Sequence, residues 1–173
     1  GDYAAELTAL NTLAKKMMKA RFEKGAINFE TTEVKFKLDE NGTPLGLFVK
    51  ERKDAHRLIE EFMLLANKQV AEFVYAQKTK EGEPPTMVYR IHEQPDIERL
   101  QNFAGFAQKF GYNIATGGKA LATSINRLVT ETLGSPTLAF LQTLAIRAMA
   151  KARYSTEPIG HFGLAFSHYT HFT

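Results

Sequence analysis

The sequence predicts an α+β domain in which several helices accompany a β-hairpin. Two observations lead to this prediction. Apolar residues recur at helical spacing in several stretches, and the stretch over residues 54–77 is apolar on more than one side. Between the first two of these stretches, the pattern changes to an alternation of apolar and polar residues on both sides of the turn-forming residues 39–42.

The composition excludes several classes of protein. The 173 residues, of which 44% are hydrophobic, are enough for a single domain with a sizeable core. No apolar run reaches the length of a membrane span and no signal-peptide pattern is present, so we expect no membrane partner. The absence of cysteine excludes disulfides and thiol chemistry and fits a cytoplasmic location. A net charge of +3 is compatible with nucleic acid as a partner without arguing for it.

The spacing of apolar residues over residues 3–23 predicts an amphipathic helix that ends at Gly25. Its apolar side is expected to be buried and its cations largely exposed. Such cations usually form a solvated helix face, although they could also line an RNA groove. The predicted buried residues are Leu7, Leu10, Leu13, Met17 and Met18, and the predicted exposed cations are Lys15, Lys16, Lys19 and Arg21.

Alternation over residues 34–38, and again over residues 45–49, predicts a β-hairpin around the turn at residues 39–42. Phe29 lies in the short segment that leads into this hairpin. An aromatic residue in that position is most often part of a core, but an aromatic in a loop can also stack on a base.

The helix predicted over residues 54–77 is expected to be central and buried. At about 100° per residue, Glu60 and Asn67 fall together on one flank of its apolar row, while Glu61 points away. Glu60 is therefore either a solvated carboxylate that favours the helix dipole or a carboxylate at the wall of a site. The apolar row is Ile59, Met63, Ala66, Val70 and Val74.

The second half of the chain predicts a short strand in MVYRIHEQP and then three helices. Asp96 is the expected N-cap of the first helix, which extends to about Lys109. The other two helices are predicted over residues 119–132 and 137–151. The motif ATGGKA resembles a phosphate loop superficially, but it lacks the required spacing of glycines and lysine and is rejected as one.

Histidines near the end of the chain suggest a metal site only weakly. His168 and His171 are three residues apart, which suits a helix, but the local pattern is extended and aromatic and no carboxylate follows. We therefore predict no metal ligand in this chain. Gly160 and Gly163 lie on either side of His161 and indicate close backbone packing or a tight turn.

Three stretches, HRLIEEFMLLAN, YRIHEQP and YSTEPIGHFGLAFSHYTHFT, together resemble the catalytic RNB domain of the ribonuclease R/ribonuclease II exoribonucleases. The similarity is greatest to bacterial ribonuclease R and extends over nearly the whole chain. It implies a mixed, curved sheet covered by several helices around the buried helix. Residues 1–173 would then be a single domain, a fragment from the C-terminal side of the RNB domain without flanking OB-fold domains.

The resemblance also implies an activity, namely processive 3′→5′ hydrolysis of single-stranded RNA to nucleoside 5′-monophosphates. Two metal ions, normally Mg²⁺, would hold the scissile phosphate and activate water. In the family they are bound by an aspartate cluster, whereas Asp2, Asp39, Asp54 and Asp96 are scattered. We therefore expect the intact parent to be the Mg²⁺-dependent enzyme and this fragment to be inactive alone.

Two positions, Phe29 and Glu60, match residues that the family uses on RNA, and three more candidates lie in the matched end segment. Phe29 would stack on bases at the 3′ end. Glu60 would place a carboxylate beside the terminal nucleotide and is the catalytic candidate. His161, Tyr169 and Thr170 would contact the floor of the RNA channel or the RNA backbone, with core packing as the alternative.

Two other functions stay open. A degenerate protein of this kind could bind single-stranded RNA without cutting it. A helical interaction domain without a nucleic-acid role is favoured only by the low net charge. For the exoribonuclease, no obligate protein partner is implied.

Overall fold

The computed structural model describes residues 1–28, 33–50, 52–132 and 135–173. No helix of the described part is both long and apolar enough to cross a membrane. The elements in chain order are α1 (Ala4–Glu23), β1 (Glu33–Leu38), β2 (Pro44–Lys50), α2 (Asp54–Ala76), β3 (Tyr89–Ile91), α3 (Ile97–Gln108), α4 (Gly118–Glu131), α5 (Pro136–Ala148), β4 (Arg153–Ser155) and a 3₁₀ turn (Phe162–Leu164).

The predicted α+β class is confirmed, and the predicted hairpin and helices are present. The arrangement of the strands differs from the expected single mixed sheet. In the described ranges, β1 pairs with β2 and β3 pairs with β4, both antiparallel, as two separate two-stranded sheets. The two pairs differ in burial, since Phe36 of β1 and Leu47 of β2 are 62% and 66% exposed, whereas Tyr89 and Ile91 of β3 are buried. The predicted half-burial of the hairpin strands is therefore not seen.

Helices α3, α4 and α5 build the main core. Leu100 and Phe103 of α3 pack with Ile125 of α4 and Leu141 of α5, and none of these side chains is more than 4% exposed. Asp96 caps α3 as predicted, because its Oδ1 accepts a hydrogen bond from the backbone N–H of Arg99 at 2.9 Å. These three helices are nearly consecutive in the chain, and Ile27, from the segment after α1, completes the same core.

The hairpin turn is closed by the side chain of Asp39. Its Oδ1 accepts backbone N–H bonds from Asn41 at 2.9 Å and from Thr43 at 2.7 Å. These bonds, above all the bond from Thr43, lower the pKa of the Asp39 carboxyl. The turn is thus specified locally, which explains why the hairpin could be predicted.

Helices α1 and α2 run in the same direction and are joined by a buried ion pair. Lys15 contacts Asp54 at 2.6 Å, and two turns later the Arg21 guanidinium donates to both carboxylate oxygens of Glu61, from Nε at 3.4 Å and from Nη2. The side chains of Arg21 and Glu61 are only 9% and 5% exposed. The predictions that Arg21 is exposed and that Glu61 points away were therefore wrong, because each residue supplies the charge that the other needs inside.

The buried side of α2 is not the predicted apolar row. Ile59 is 57% exposed and Val70 is 37% exposed, so α2 is covered along one side only. The buried side is turned by roughly a third of a turn from the predicted row. This rotation of the buried side has a physical cause, since the groups that cover α2 offer ionic and hydrogen-bonding partners. The buried residues of α2 are Glu61, Leu64, Asn67 and Ala71.

Helix α1 is packed through a small residue. Ala14 is 2% exposed, whereas Leu7 and Leu13 are 55% and 46% exposed. The predicted inward side is therefore correct only in part, because Met17 and Met18 are half-buried and the leucines are not. An alanine at the contact allows the two helix backbones to approach closely.

Loss of the buried ion pair is expected to destabilise the fold strongly. Glu61→Ala leaves the Arg21 guanidinium buried and unpaired, which should lower the free energy of unfolding by about 3–5 kcal/mol in urea denaturation. Glu60→Ala is the matched control one residue earlier. Its carboxylate is 42% exposed and contacts Arg52 only at 3.6 Å, so the expected cost is below about 1 kcal/mol. Equal costs for the two variants would contradict this account of the α1–α2 contact.

Candidate functional site

The segment from Gly160 to Thr173 is attached to β3 through its backbone. The N–H of His92 donates to the carbonyl of Gly160 at 3.1 Å, and the N–H of Phe162 donates back to the carbonyl of His92 at 2.8 Å. Further on, the N–H of Arg90 donates to the carbonyl of Tyr169 at 2.8 Å. These bonds fix the whole segment relative to the core.

Two glycines allow this segment to pack closely, as the sequence indicated. Gly160 has φ +88°, and a Cβ at this position would lie 2.9 Å from the carbonyl oxygen of Phe166. A Cβ on Gly163 would lie 2.9 Å from Nδ1 of His92. The sequence-based interpretation of both glycines is therefore confirmed.

The His92 ring holds three parts of the chain together. Its Nε2 lies 2.8 Å from the carbonyl of Ala150, which can only accept, and its Nδ1 accepts from the N–H of Gly163 at 3.0 Å. These partners require a neutral ring with its proton on Nε2. Burial also lowers the pKa of His92, which favours the same neutral form.

His161 is also neutral. Its Nδ1 accepts from the N–H of Leu164 at 3.3 Å, and its ring packs edge-on against His92 and Tyr169 with centroids 5.1 and 5.4 Å away. Burial, reinforced by the nearby His92, lowers the pKa of His161 to about 4. At neutral pH His161 contributes no charge to the site, so the predicted contact with RNA, which stays a prediction, would involve an uncharged ring.

Tyr169 and Thr170 lie inside the fold and are 4% and 5% exposed. The Tyr169 hydroxyl accepts from Nδ2 of Asn67 at 3.4 Å and lies 3.0 Å from Nδ1 of His171. The Thr170 hydroxyl donates to the carbonyl of Val88 at 2.8 Å. Both side chains thus have partners within the chain, in line with the packing alternative, and their contact with RNA stays a prediction.

Asn67 anchors the end of the segment and was not predicted to do so. It is fully buried, its Nδ2 donates to Oγ1 of Thr173 at 2.9 Å, and its Oδ1 accepts from the N–H of Phe172 at 3.3 Å. Glu60 lies on the same side of α2, two turns earlier and about 10 Å along the helix axis. Glu60 is partly exposed, so it is available to a ligand that approaches this side of α2. The signal for Asn67 in the sequence was a polar side chain on the flank of the apolar row.

Phe29 lies outside the described residues, but the residues just before it are firmly held. The side chain of Asn126 accepts from the backbone N–H of Asn28 at 2.8 Å. The N–H of Ile27 donates to the carbonyl of Gly163 at 2.9 Å. The entry to the Phe29 segment is therefore tied to the Gly160–Thr173 segment.

Two open cavities meet at Ala165–Ser167, which we call the ridge. The larger has a volume of about 550 Å³ and includes His92 and His161 in its wall. The smaller, of about 340 Å³, lies between α1, α2 and the ridge. Lys24 and the three ridge residues line both cavities, so the cavities adjoin at the ridge, and we call the two together the groove.

The carboxylates of the described residues do not fit a metal site. No group of three or more His, Asp or Glu side chains comes together in the described ranges. Three of the four aspartates there have other partners, since Asp39 closes the hairpin turn, Asp54 binds Lys15 and Asp96 caps α3.

Comparison with known proteins shows a match to the RNB domain over residues 1–173. This chain belongs to the RNB family. Two curated relatives are ribonuclease R of Aquifex aeolicus, 35% identical over 167 residues, and ribonuclease R 1 of Lactococcus lactis, 39% identical over 173 residues. The alignments cover 96% and 99% of this chain but only 23% and 20% of those relatives. The chain thus spans about a fifth of the length of these RNB proteins.

A solved RNB-family structure has the same fold. RNase R of Mycoplasma genitalium, in complex with ribose-methylated single-stranded RNA, matches with a TM-score of 0.81 and 27% identity. The match covers 96% of this chain and 25% of that protein. The resemblance inferred from the three sequence stretches is therefore confirmed, as is the fold class.

The neutral histidine pair makes stability depend on pH. The folded-state pKa of His161, about 4, lies below its ordinary value of 6.5. The unfolded chain therefore binds more protons between these values, and stability falls as the pH is lowered from about 6.5 to about 4. We expect His161 to account for about 2–3 kcal/mol of this loss.

Urea denaturation at several pH values measures this effect. His161→Gln should flatten the pH dependence of the free energy of unfolding in that window. Some dependence should remain, because burial and nearby Arg90 also lower the pKa of His92. His168→Gln is the control, because His168 stacks on Tyr75 at 3.9 Å and not on the pair. A pH dependence equal in the wild type and in His161→Gln would refute the assignment.

Proposed function

We propose that this chain forms part of a 3′→5′ exoribonuclease that hydrolyses single-stranded RNA to nucleoside 5′-monophosphates. The observation that carries the proposal is the RNB match over residues 1–173. The Mycoplasma relative with the same fold binds a single-stranded RNA, which supports RNA as the substrate. The groove past the ridge offers a path for such a strand.

Within this enzyme, the chain positions the RNA. Phe29 would stack on bases at the 3′ end, and nearby Ile27 is bonded to Gly163, which follows Phe162 in the wall of the larger cavity. Glu60 would face the terminal nucleotide, and in support it is partly exposed on the side of α2 that anchors Thr173. Stacking does not depend on base identity, so this arrangement suits a nuclease without sequence specificity.

The Mg²⁺ ions of the proposed reaction would be bound elsewhere in the enzyme. They supply charge neutralisation and an activated water at the scissile phosphate. The carboxylates of the described residues do not gather into such a site. We therefore assign to this chain the binding and orientation of RNA, and no step at the metal ions.

A second candidate is a module that binds single-stranded RNA without cutting it. The same lack of a carboxylate cluster within the described ranges favours it. The two candidates agree on RNA binding and differ only in whether the full-length protein cleaves.

Incubation with 5′-labelled single-stranded RNA and Mg²⁺ distinguishes the two candidates. The purified chain should bind the RNA and leave its length unchanged, because it lacks the metal ligands. The full-length protein should shorten the labelled strand from the 3′ end, as seen by gel electrophoresis, and release unlabelled mononucleotides, which chromatography detects. Shortening by the chain alone, abolished by EDTA, would refute the assigned division of roles. A full-length protein that binds RNA and leaves it intact would establish the non-catalytic module.

Substitution of Phe29 tests the stacking role. Phe29→Ala should weaken the affinity for a labelled RNA oligonucleotide by about 5- to 150-fold, since base stacking contributes about 1–3 kcal/mol. Phe73→Ala is the matched control, because Phe73 is 67% exposed on the uncovered side of α2. Anisotropy titrations give the affinities, and circular dichroism checks the fold. Unchanged binding in a folded Phe29→Ala protein would exclude this role.

A further inference from the structure

We infer, on the basis of the RNA binding proposed above, that Lys24 and Lys119 hold a backbone phosphate of the RNA at the rim of the larger cavity. Both residues line this cavity and both side chains are exposed. They are 95 positions apart in the sequence (119 − 24), so only the fold brings them together.

Gly25 places the two lysines side by side. It follows Lys24 at the end of α1 and has φ +104°, a left-handed conformation that favours glycine. A Cβ on Gly25 would lie 3.7 Å from Cγ and 3.9 Å from Cα of Lys119. The end of α1 is therefore packed directly against the first turn of α4, and the two ammonium groups extend from adjoining backbone.

The other charged groups of the groove are already neutralised. In the larger cavity, Glu93 is bound to Arg153 at 2.7 Å. In the smaller cavity, Arg21 is paired with Glu61, and Lys68 contacts Glu72 at 3.2 Å.

Lys24 and Lys119 are the exception. Of the cations that line the two cavities, they are the ones without an ion pair to any described residue. The histidines in the wall add no positive charge at neutral pH. The larger cavity therefore carries an uncompensated charge that an anion would neutralise.

The form of the site favours a phosphate of a long strand over a small enclosed anion. The larger cavity is open and adjoins the smaller one at the ridge, and Lys24 lines both. Helix α4 begins at Gly118 without a side-chain cap, so its N-terminal partial positive charge adds to that of the lysines. Lysine binds phosphate as a point charge without reading a base, which agrees with a nuclease that accepts any sequence.

Lys24 also lies five positions before Phe29 (29 − 24), and the residues between them are held by Asn126 and Gly163. One short segment would thus supply a phosphate contact and a base-stacking contact. Such a pairing fixes the strand at both its backbone and its bases.

The salt dependence of RNA binding tests this inference. The probe is a fluorescein-labelled single-stranded oligonucleotide of about 20 uridines, titrated with the whole chain at several KCl concentrations. Each phosphate contact on a single strand contributes about 0.7 to the slope of log K against log salt. Because the two lysines share one phosphate, Lys24→Gln and Lys119→Gln should each lower the slope by up to about that amount, which corresponds to as much as about fivefold weaker binding at 0.1 M salt.

Lys109→Gln is the matched control, since Lys109 is an exposed lysine at the end of α3, away from both cavities. It should leave the affinity and the slope unchanged. Lys24→Arg and Lys119→Arg should keep the wild-type slope, because the charge is retained. Circular dichroism confirms that each variant is folded.

The outcomes separate this inference from the proposed function. Wild-type chain that fails to bind the oligonucleotide overturns the RNA-binding function and, with it, the phosphate site. Wild-type chain that binds, while both glutamine variants keep the wild-type slope, overturns the phosphate site alone. A slope lowered equally by the Lys109 control would also overturn it, because the effect would then reflect net charge only.

Discussion

The position of the candidate site depends on the hydrogen bonds of one imidazole. The ring of His92, the residue that follows β3, is hydrogen-bonded to the carbonyl of Ala150 after α5 and to the N–H of Gly163 in the 3₁₀ turn. A neutral ring with one donor and one acceptor nitrogen can satisfy both backbone groups at once, which neither an aliphatic side chain nor a charged ring would do. The ridge, and therefore the shape of both cavities, follows from this junction.

The elements could be predicted from the sequence because their signals are local. The cap by Asp96, the turn at Asp39 and the helix end at Gly25 each involve residues only a few positions apart. The buried sides of α1 and α2 could not be predicted in this way. Arg21 and Glu61 are buried only because they form an ion pair with each other. Neither the periodicity nor the hydrophobicity of the sequence indicates that this pair forms.

The candidate site shows the same division. The resemblance to the RNB family supplied Phe29, Glu60 and the end segment, and helical spacing correctly placed Glu60 and Asn67 on one side of α2. The neutral state of His161 and the anchoring role of Asn67 depend on partners distant in the sequence. The pairing of Lys24 with Lys119 is equally non-local, since it requires Gly25 to pack on α4.

The hydrogen bonds of the Gly160–Thr173 segment also determine how much chain entropy is lost when this segment becomes ordered. The bond between Ile27 and Gly163 joins residues 136 positions apart (163 − 27), and the bond between Asn67 and Thr173 joins residues 106 apart. By contrast, helices α3, α4 and α5 lie within residues 97–148. Closing longer loops costs more chain entropy, which only the contacts made afterwards offset. The groove is therefore the part of this fold that depends on contacts between the most distant parts of the chain.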